Sequence, residues 1–340
     1  MIKQYLDKIS MGENLTLQES YDAMIRIMKG EVNNSQIAGL LLALRAKGEK
    51  PEEVAGFAKA MRDNSVKIKS LDPNTIDVCG TGGDGSNTFN ISTATAFVVA
   101  GAGVKVAKHG NRSVSSKSGS ADVLIELGIN INLSPVQSEH ALNEIGIAFL
   151  FAPIYHPAMK HVASVRKELG IKTVFNILGP LTNPAGTKKQ LIGVFNNQTA
   201  ELMANAASYL DMEKVNFICT ANRFDEISLT NPTDVYEFKN GLGVRNYKLS
   251  LDEFGYPVID INKIKSDSSK NNSEMILAVF KNKIKNEAFY VIAANAAMAL
   301  STSGYSVNFD DCRLAAEESI MSGRAFQKLE ALRMFGEKYS

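Results

Sequence analysis

The stretch GTGGDGSNTFNIST, Gly80 to Thr93, concentrates the residue types that bind an oxyanion. Glycines at 80, 82, 83 and 85 admit backbone conformations and close approaches that a side chain would block. The run lies between an apolar, strand-like segment, Ile76 to Cys79, and a helix-like one, Ala94 to Val99. It therefore feeds a helix start, where unpaired N–H groups carry partial positive charge. Asp84 and the hydroxyl or amide groups of Thr81, Ser86, Asn87, Thr88, Asn90, Ser92 and Thr93 add ligands that a bare turn lacks. The chemistry implied is capture of a phosphorylated ligand, with or without a metal. An ordinary glycine-rich turn is the alternative that this segment alone leaves open.

The same letters satisfy the dinucleotide pattern G-x-G-x-x-G, but the context differs. In that fold the helix opens at the third glycine and a carboxylate about 20 residues on holds a ribose. Here Ser86 to Asn90 intervenes, and the second strand, Val104 to Ala107, runs into Lys108 and His109. No Gly-Lys-Ser/Thr follows the glycines, so a Walker loop is excluded.

A second loop, KHGNRSVSSKSGSADVL from Lys108 to Leu124, places Lys108, Arg112 and Lys117 among Ser113, Ser115, Ser116, Ser118 and Ser120. Three cations with many donors suit a pyrophosphate better than a single phosphate. Read alone, a solvated basic loop accounts for it equally well. Asp225 and Glu226 follow the strand Val215 to Cys219, at the carboxyl end where ligands gather in open α/β sheets. Magnesium needs only one or two carboxylates besides substrate phosphate oxygens, so the pair suffices if the two loops hold a polyphosphate. A fourth segment runs from Phe151 to Ala185 and contains a helix ending before Gly170. Met159, Val162, Ala163 and Arg166 share a face by spacing, which sets a guanidinium on an apolar stripe. Its partner is either an internal acid or a substrate carboxylate. His156 and His161, five apart, do not stack on one helix face as metal ligands would.

These loops need a scaffold, and 340 residues suffice for a large core. Hydrophobic content of 45% and a net charge of +1 fit a globular enzyme with no broad attraction to nucleic acid or acidic membranes. Cys79, Cys219 and Cys312 are widely spaced with no CxxC, which favours buried thiols over a disulfide framework or a zinc site. No signal-peptide core or membrane-length apolar run is present, so a cytoplasmic protein is expected.

The first seventy residues read as consecutive amphipathic helices. Thr16 and Glu19 form a capping box, Ser35 can cap the next helix, and Pro51 suits the first turn of a third. Ile37, Leu40, Leu41, Leu42 and Leu44 cover more of their helix than one core-facing stripe requires, which suggests a contact with a second copy. From Thr75 short apolar runs alternate with helical ones, with TIDVC, VKVA, LIGVF and VNFIC as the clearest strands. The expected fold is α/β: a small all-helical N-terminal region, then a larger part with a mostly parallel central sheet covered by helices. Ile264 to Ser273 reads as a polar surface loop.

Taken in order, the two loops, the acidic pair and VRKELGIKTVFNILGPLTNPA resemble the anthranilate phosphoribosyltransferases of tryptophan biosynthesis over essentially the whole chain. The resemblance implies a helical domain of residues 1–70, joined by about 157–185, and an α/β domain of 71–156 and 186–340. It implies a homodimer through the N-terminal helices and transfer of phosphoribose from phosphoribosyl pyrophosphate to the amine of anthranilate. Carried over residue by residue, Gly80, Gly83, Asp84, Thr88, Asn90, Ile91, Ser92 and Thr93 would contact phosphoribosyl pyrophosphate. So would Lys108, His109, Gly110, Asn111, Arg112, Ser113, Val114, Ser115, Ser116 and Ser120. Gly80, Asn111, His156 and Arg166 would meet anthranilate, with His109 lining the approach, and Ser92, Asp225 and Glu226 would serve Mg2+. Many members carry glycine just before the acidic pair, where this chain has Asn222 and Arg223; asparagine tolerates the left-handed conformation. A pyrimidine nucleoside phosphorylase would need no acidic pair, and a nucleic-acid-binding relative would show degraded loops and a basic surface.

Overall fold

The computed structural model describes residues 2–113 and 118–339. Val114, Ser115, Ser116 and Lys117 lie outside the described residues.

Four helices come first: α1 (Ile2–Ser10), α2 (Leu17–Met28), α3 (Asn34–Lys47) and α4 (Pro51–Asp63). The capping box at α2 is formed, with Glu19 N–H on Thr16 Oγ1 at 3.2 Å and Thr16 N–H on Glu19 Oε2 at 2.8 Å. Pro51 opens α4 as expected. At α3 the cap is Asn33, not Ser35: Asn33 Oδ1 takes the Gln36 N–H at 2.9 Å, so the helix begins a residue before Ser35. Ile37, Leu40, Leu41 and Leu44 are buried, and the surplus apolar surface on α3 reduces to Leu42, 44% exposed.

The sheet chain follows as β1 (Ile76–Gly80), α5 (Ile91–Gly101), β2 (Val106–Gly110), α6 (Ser120–Glu126), α7 (Pro135–Glu144) and β3 (Ile147–Phe151). Short helices α8 (Ala152–Tyr155), α9 (Lys160–Leu169) and α10 (Phe175–Leu178) precede β4 (Lys189–Gly193), α11 (Asn197–Ala207) and β5 (Lys214–Thr220). A hairpin, β6 (Thr233–Lys239) and β7 (Gly243–Leu249), leads to α12 (Ser269–Asn282), α13 (Glu287–Ser303), α14 (Phe309–Met321) and α15 (Arg324–Glu337).

The strands are ordered β3-β2-β1-β4-β5-β6-β7. The first five pair in parallel and the hairpin adds antiparallel edges. The chain moves outward from β1 to β3 and returns on the other side at β4. The carboxyl ends of β1 and β4 therefore flank a topological switch point, where crevices form in such sheets. Strand side chains alternate between the faces. Val78, Leu191 and Ile218 join a core with α5, α13, α14 and α15. Cys79, Ile192 and Phe217 join a second core shared with α2, α3, α4, α9 and α11. The N-terminal helices are thus seated on one face of the sheet.

Two expectations are overturned here. Lys108 and His109 are strand residues, because β2 stays in register with β3 through Gly110↔Phe151. The segment 264–273 is not a surface loop: Ile264, Ser266, Asn272 and Ser273 are buried, and α12 begins within it.

Candidate active site

The glycine run leaves β1 and bends with positive φ at Gly82, Gly83, Gly85 and Asn87. Its start is tied to the neighbouring strand tips, with Thr81 N–H on Gly193 O at 2.8 Å and Gly82 N–H on Asp225 Oδ2 at 2.9 Å. Its middle is folded on itself by Asp84 Oδ1, which accepts from Ser86 N–H at 3.0 Å and Ser86 Oγ at 2.9 Å. Its end is held by the segment before α12: Phe89 N–H meets Ile264 O at 2.9 Å, and Ser266 N–H meets Asn87 O at 2.8 Å. Thr88 faces Lys265 in an isolated bridge. Lys172, from the turn after α9, donates its Nζ to Gly83 O at 2.6 Å and lies 3.8 Å from the Phe195 ring centroid.

The start of α5 is not a set of free donors. Ile91 N–H is taken by Phe89 O at 2.7 Å, Ser92 N–H by Glu226 Oε1 at 3.2 Å, and Thr93 N–H by Asn90 O at 3.2 Å. The Glu226 carboxyl thereby answers one of the open N–H groups of a helix N-terminus. Ile91 keeps its side chain in the core, and Thr93 Oγ1 is buried without a partner among the described residues.

Lys108 does not join Arg112 in a basic loop. From β2 its Nζ reaches Val78 O at 2.7 Å and Ser92 Oγ at 3.3 Å. Burial pulls its pKa down, opposed by the charge of Asp77. Arg112 points outward, 3.9 Å from Asp122 and 58% exposed at its side chain. The loop closes on itself: Asp122 Oδ2 takes Ser113 N–H at 3.2 Å and Gly119 N–H at 2.9 Å, while Ser120 Oγ donates to Asn111 O at 3.2 Å. Asn111 Oδ1 holds Arg112 N–H at 2.8 Å. A Cβ at Gly110 would collide with Ser120 Oγ and the Phe149 ring.

The acidic pair sits on a turn after β5 in which Ala221 and Asn222 are both left-handed, φ 54 and 52. Asn222 thus does what a glycine would, and its Oδ1 takes the Asn197 N–H at 2.8 Å. Asp225 is buried; burial first, then the charge of Asp84, pushes its carboxyl above the ordinary range. Glu226 is raised as well, by burial and then by Asp225. Gly193 lies so close under this turn that a Cβ would collide with the Asp225 carbonyl. Ile227 is gripped from behind by Asn295 of α13, whose Oδ1 accepts its N–H at 3.1 Å and whose Nδ2 donates to its C=O at 2.9 Å. One oxygen of each acid is committed to a backbone N–H, and the Ser92 hydroxyl lies nearby through its bond with Lys108. Such hard oxygen donors suit magnesium. Among the described residues no three His, Cys, Asp or Glu converge on a metal position, so a cation here would draw further oxygens from a ligand.

Arg166 is partly buried on α9 with its Cζ 5.4 Å from the Phe175 ring centroid. Burial alone lowers its pKa, and among the described residues it has no carboxylate partner, which removes the internal-acid alternative. The stripe beside it differs from expectation: Val162 and Val165 are buried and Ala163 is exposed, being a residue off the packed face. His109 and His156 pack together, ring centroids 5.2 Å apart. Burial pushes His109 down to about 3 and His156 to about 4, so both are neutral at pH 7. Each turns toward a backbone group, of Gly179 and Thr182 respectively, and each keeps its Nε2 without a partner among the described residues.

Sequence reasoning missed Asn272, Asn295 and Lys172. Asn295 had a signal, being the lone strongly polar residue inside the apolar run AFYVIAANAAMAL. Asn272 had none, because it sits in a uniformly polar stretch.

Residues 72–326 match the profile of the glycosyl transferase family a/b domain, and residues 3–65 that of the same family's helical bundle domain. The anthranilate phosphoribosyltransferase of Geobacillus kaustophilus is 45% identical over 333 residues, 98% of each chain. The crystal structure of the enzyme of that name from Thermus thermophilus superposes with a TM-score of 0.91 at 37% identity, covering 98% of this chain and 99% of that one. The Saccharomyces cerevisiae enzyme in complex with PRPP and Mg gives 0.90 at 30% identity, covering 99% and 98%. With its two-part architecture, its glycine loop joined to an acidic turn and full-length identity at this level, the chain belongs to the anthranilate phosphoribosyltransferases, which move phosphoribose from phosphoribosyl pyrophosphate to the amine of anthranilate.

Proposed function

We propose that the glycine loop, Lys108 and the acidic turn bind phosphoribosyl pyrophosphate with Mg2+, and that Arg166 receives the anthranilate carboxylate. The observation that carries this reading is the convergence of three strand tips: Gly82 on Asp225, Ser92 on Glu226, and Lys108 on Ser92. Segments more than a hundred residues apart in sequence meet where a diphosphate and its cation would need both donors and acceptors.

The reaction is substitution at the anomeric carbon through an oxocarbenium-like transition state, with pyrophosphate leaving. Ser92, Asp225 and Glu226 would hold Mg2+, whose charge offsets that of the departing diphosphate. The chain's own donors, Lys108 and the backbone of Gly83 to Thr88, act where negative charge grows; one such donor contributes about 3 kcal/mol in comparable sites. Anthranilate's aromatic amine is neutral at pH 7 and attacks without prior deprotonation, so no general base is required. Arg166 and the amide of Asn111 set its orientation, and the neutral His109 and His156 present unprotonated or donor nitrogens without adding charge beside the developing cation. Fixing two reactants in line can lower a barrier by about 7 kcal/mol or more.

Residues 1–70 with 157–185 form one body and 71–156 with 186–340 the other, and the ligand site lies between them. A cytoplasmic homodimer through the N-terminal helices accords with the exposed Leu42 on α3; a solution mass equal to one chain would remove it. No helix among the described residues is long and apolar enough to cross a membrane. The deciding assay follows loss of anthranilate fluorescence with phosphoribosyl pyrophosphate and MgCl2, each omitted in turn. Loss that needs the protein and both additions supports the reading. Loss that persists without either addition overturns it.

A further inference from the structure

The stretch between the last glycine of the loop and helix α5 has to be held in place by something, because Asn87 is left-handed and the α5 N-cap, Asn90, makes no side-chain capping bond. The holder comes from the far end of the chain. Backbone bonds run from Phe89 N–H to Ile264 O and from Ser266 N–H to Asn87 O, at 2.9 and 2.8 Å. Two backbone bonds make a short ladder, and one residue locks it. Asn272, 2% exposed on the first turns of α12, accepts the Asn90 N–H on Oδ1 at 2.5 Å. Its Nδ2 donates to Ser266 Oγ at 2.8 Å and to Ser268 O at 2.9 Å. A single amide therefore spans both sides of the ladder, with its acceptor on the ligand loop and its donors on the strap behind it.

We propose that Asn272 is a positioning residue for phosphoribosyl pyrophosphate: it clasps the 264–268 strap to Asn90 and so fixes the direction in which residues 86–90 face the diphosphate. Asn90 N–H points backward to Asn272, while its side chain points the other way, reaching toward Ser118 O at 3.5 Å between the two substrate loops. Releasing Asn272 leaves a half-buried N–H without its protein partner between loop and helix, so the segment is freed to turn toward water. No acid, base or ligand contact is assigned to Asn272; it acts through Asn90 and Ser266.

This inference rests on the functional reading above, and the test separates the two. Asn272→Ala, Asn272→Asp and Ser266→Ala are compared with the unaltered protein in steady-state kinetics. The rise in melting temperature on adding phosphoribosyl pyrophosphate with MgCl2, with no anthranilate present, is measured alongside. The expected result for Asn272→Ala is a KM for phosphoribosyl pyrophosphate raised about tenfold and a ligand-induced melting shift largely lost. The anthranilate KM should stay within about twofold. Asn272→Asp keeps the acceptor but loses both donors and should fall between; Ser266→Ala removes one partner and should raise the same constant about threefold. A lower melting temperature with unchanged phosphoribosyl pyrophosphate KM, or equal rises in both KM values, would overturn the proposal and leave Asn272 a structural residue. If Asn272→Ala does not fold, Ser266→Ala and Asn272→Asp decide by the same split. Should the unaltered protein show neither turnover nor a melting shift, the functional reading fails instead.

Discussion

At the tips of β1 and β5 the chain answers most of its own polar groups, the buried hydroxyls of Thr81 and Thr93 excepted among the described residues. Gly82 and Ser92 N–H groups rest on the acidic pair, Lys108 on Val78 and Ser92, Asn90 on Asn272, and Ile227 on Asn295. Around Arg166 and the two histidines the opposite holds. Among the described residues Arg166 has a ring beside it but no acid, and both imidazole Nε2 atoms are buried without partners. A buried unsatisfied group costs about 1–3 kcal/mol. At the two histidines the proposed anthranilate would remove that cost. The first region is thus largely self-tied, whereas the second would be completed by the ligand proposed for it.

Substitutions in the two regions should therefore fail in different ways. The largest effect is expected from Arg166→Ala: if Arg166 receives the anthranilate carboxylate as proposed, loss of a charge-assisted bond of about 1.5–3 kcal/mol should raise the anthranilate KM about 10- to 100-fold. The phosphoribosyl pyrophosphate KM should move less than about threefold; equal damage to both constants breaks the contrast. Next comes Gly193→Ala, whose Cβ collides with the Asp225 carbonyl. It should lower stability by about 1–3 kcal/mol in urea unfolding and weaken phosphoribosyl pyrophosphate use while sparing anthranilate. Asn295→Ala leaves Ile227 N–H and C=O unanswered, so a several-fold higher Mg2+ requirement is expected in titrations of the rate. An unchanged metal requirement would show that the acidic turn holds itself.

The remaining effect falls on stability and not on turnover, and is graded with pH. His109 and His156 are held at about 3 and about 4 in the folded protein, against an ordinary 6.5. Below pH 6.5 the unfolded chain takes up protons that the two folded histidines refuse, so their contribution is complete above 6.5 and declines as pH falls toward 4, while the raised Asp225 carboxyl acts in the opposite sense. His156→Gln should flatten that decline when urea midpoints are compared across the range. A decline of the same slope would place its origin elsewhere.

The glycine loop stood out in sequence by its dense glycines and hydroxyls, whereas the acidic pair drew notice only beside the two loops, since adjacent acids alone are ordinary surface residues. Asn222 could be read as a left-handed residue on chemistry alone, and it is one. Strand limits were harder. Lys108 and His109 look like loop residues, yet pairing with β3 carries them into the sheet, where both are buried. The 264–273 strap misled for a related reason: its polar side chains face inward to hold backbone, and nothing in composition separates that from facing water. Free N–H groups at α5 were expected from helix geometry, but Glu226 arrives from 134 residues away to take one.

The tie between Lys172 and Gly83 has a consequence for how the protein moves. Lys172 is exposed, and its hydrogen bond runs from the turn after α9 to a carbonyl of the glycine loop. A solvent-facing bond of this kind contributes about 1 kcal/mol, not far above thermal energy. Opening that one bond frees the glycine loop from the turn after α9 while the core shared by α9 and the sheet stays packed, so the loop can shift without the unfolding of anything.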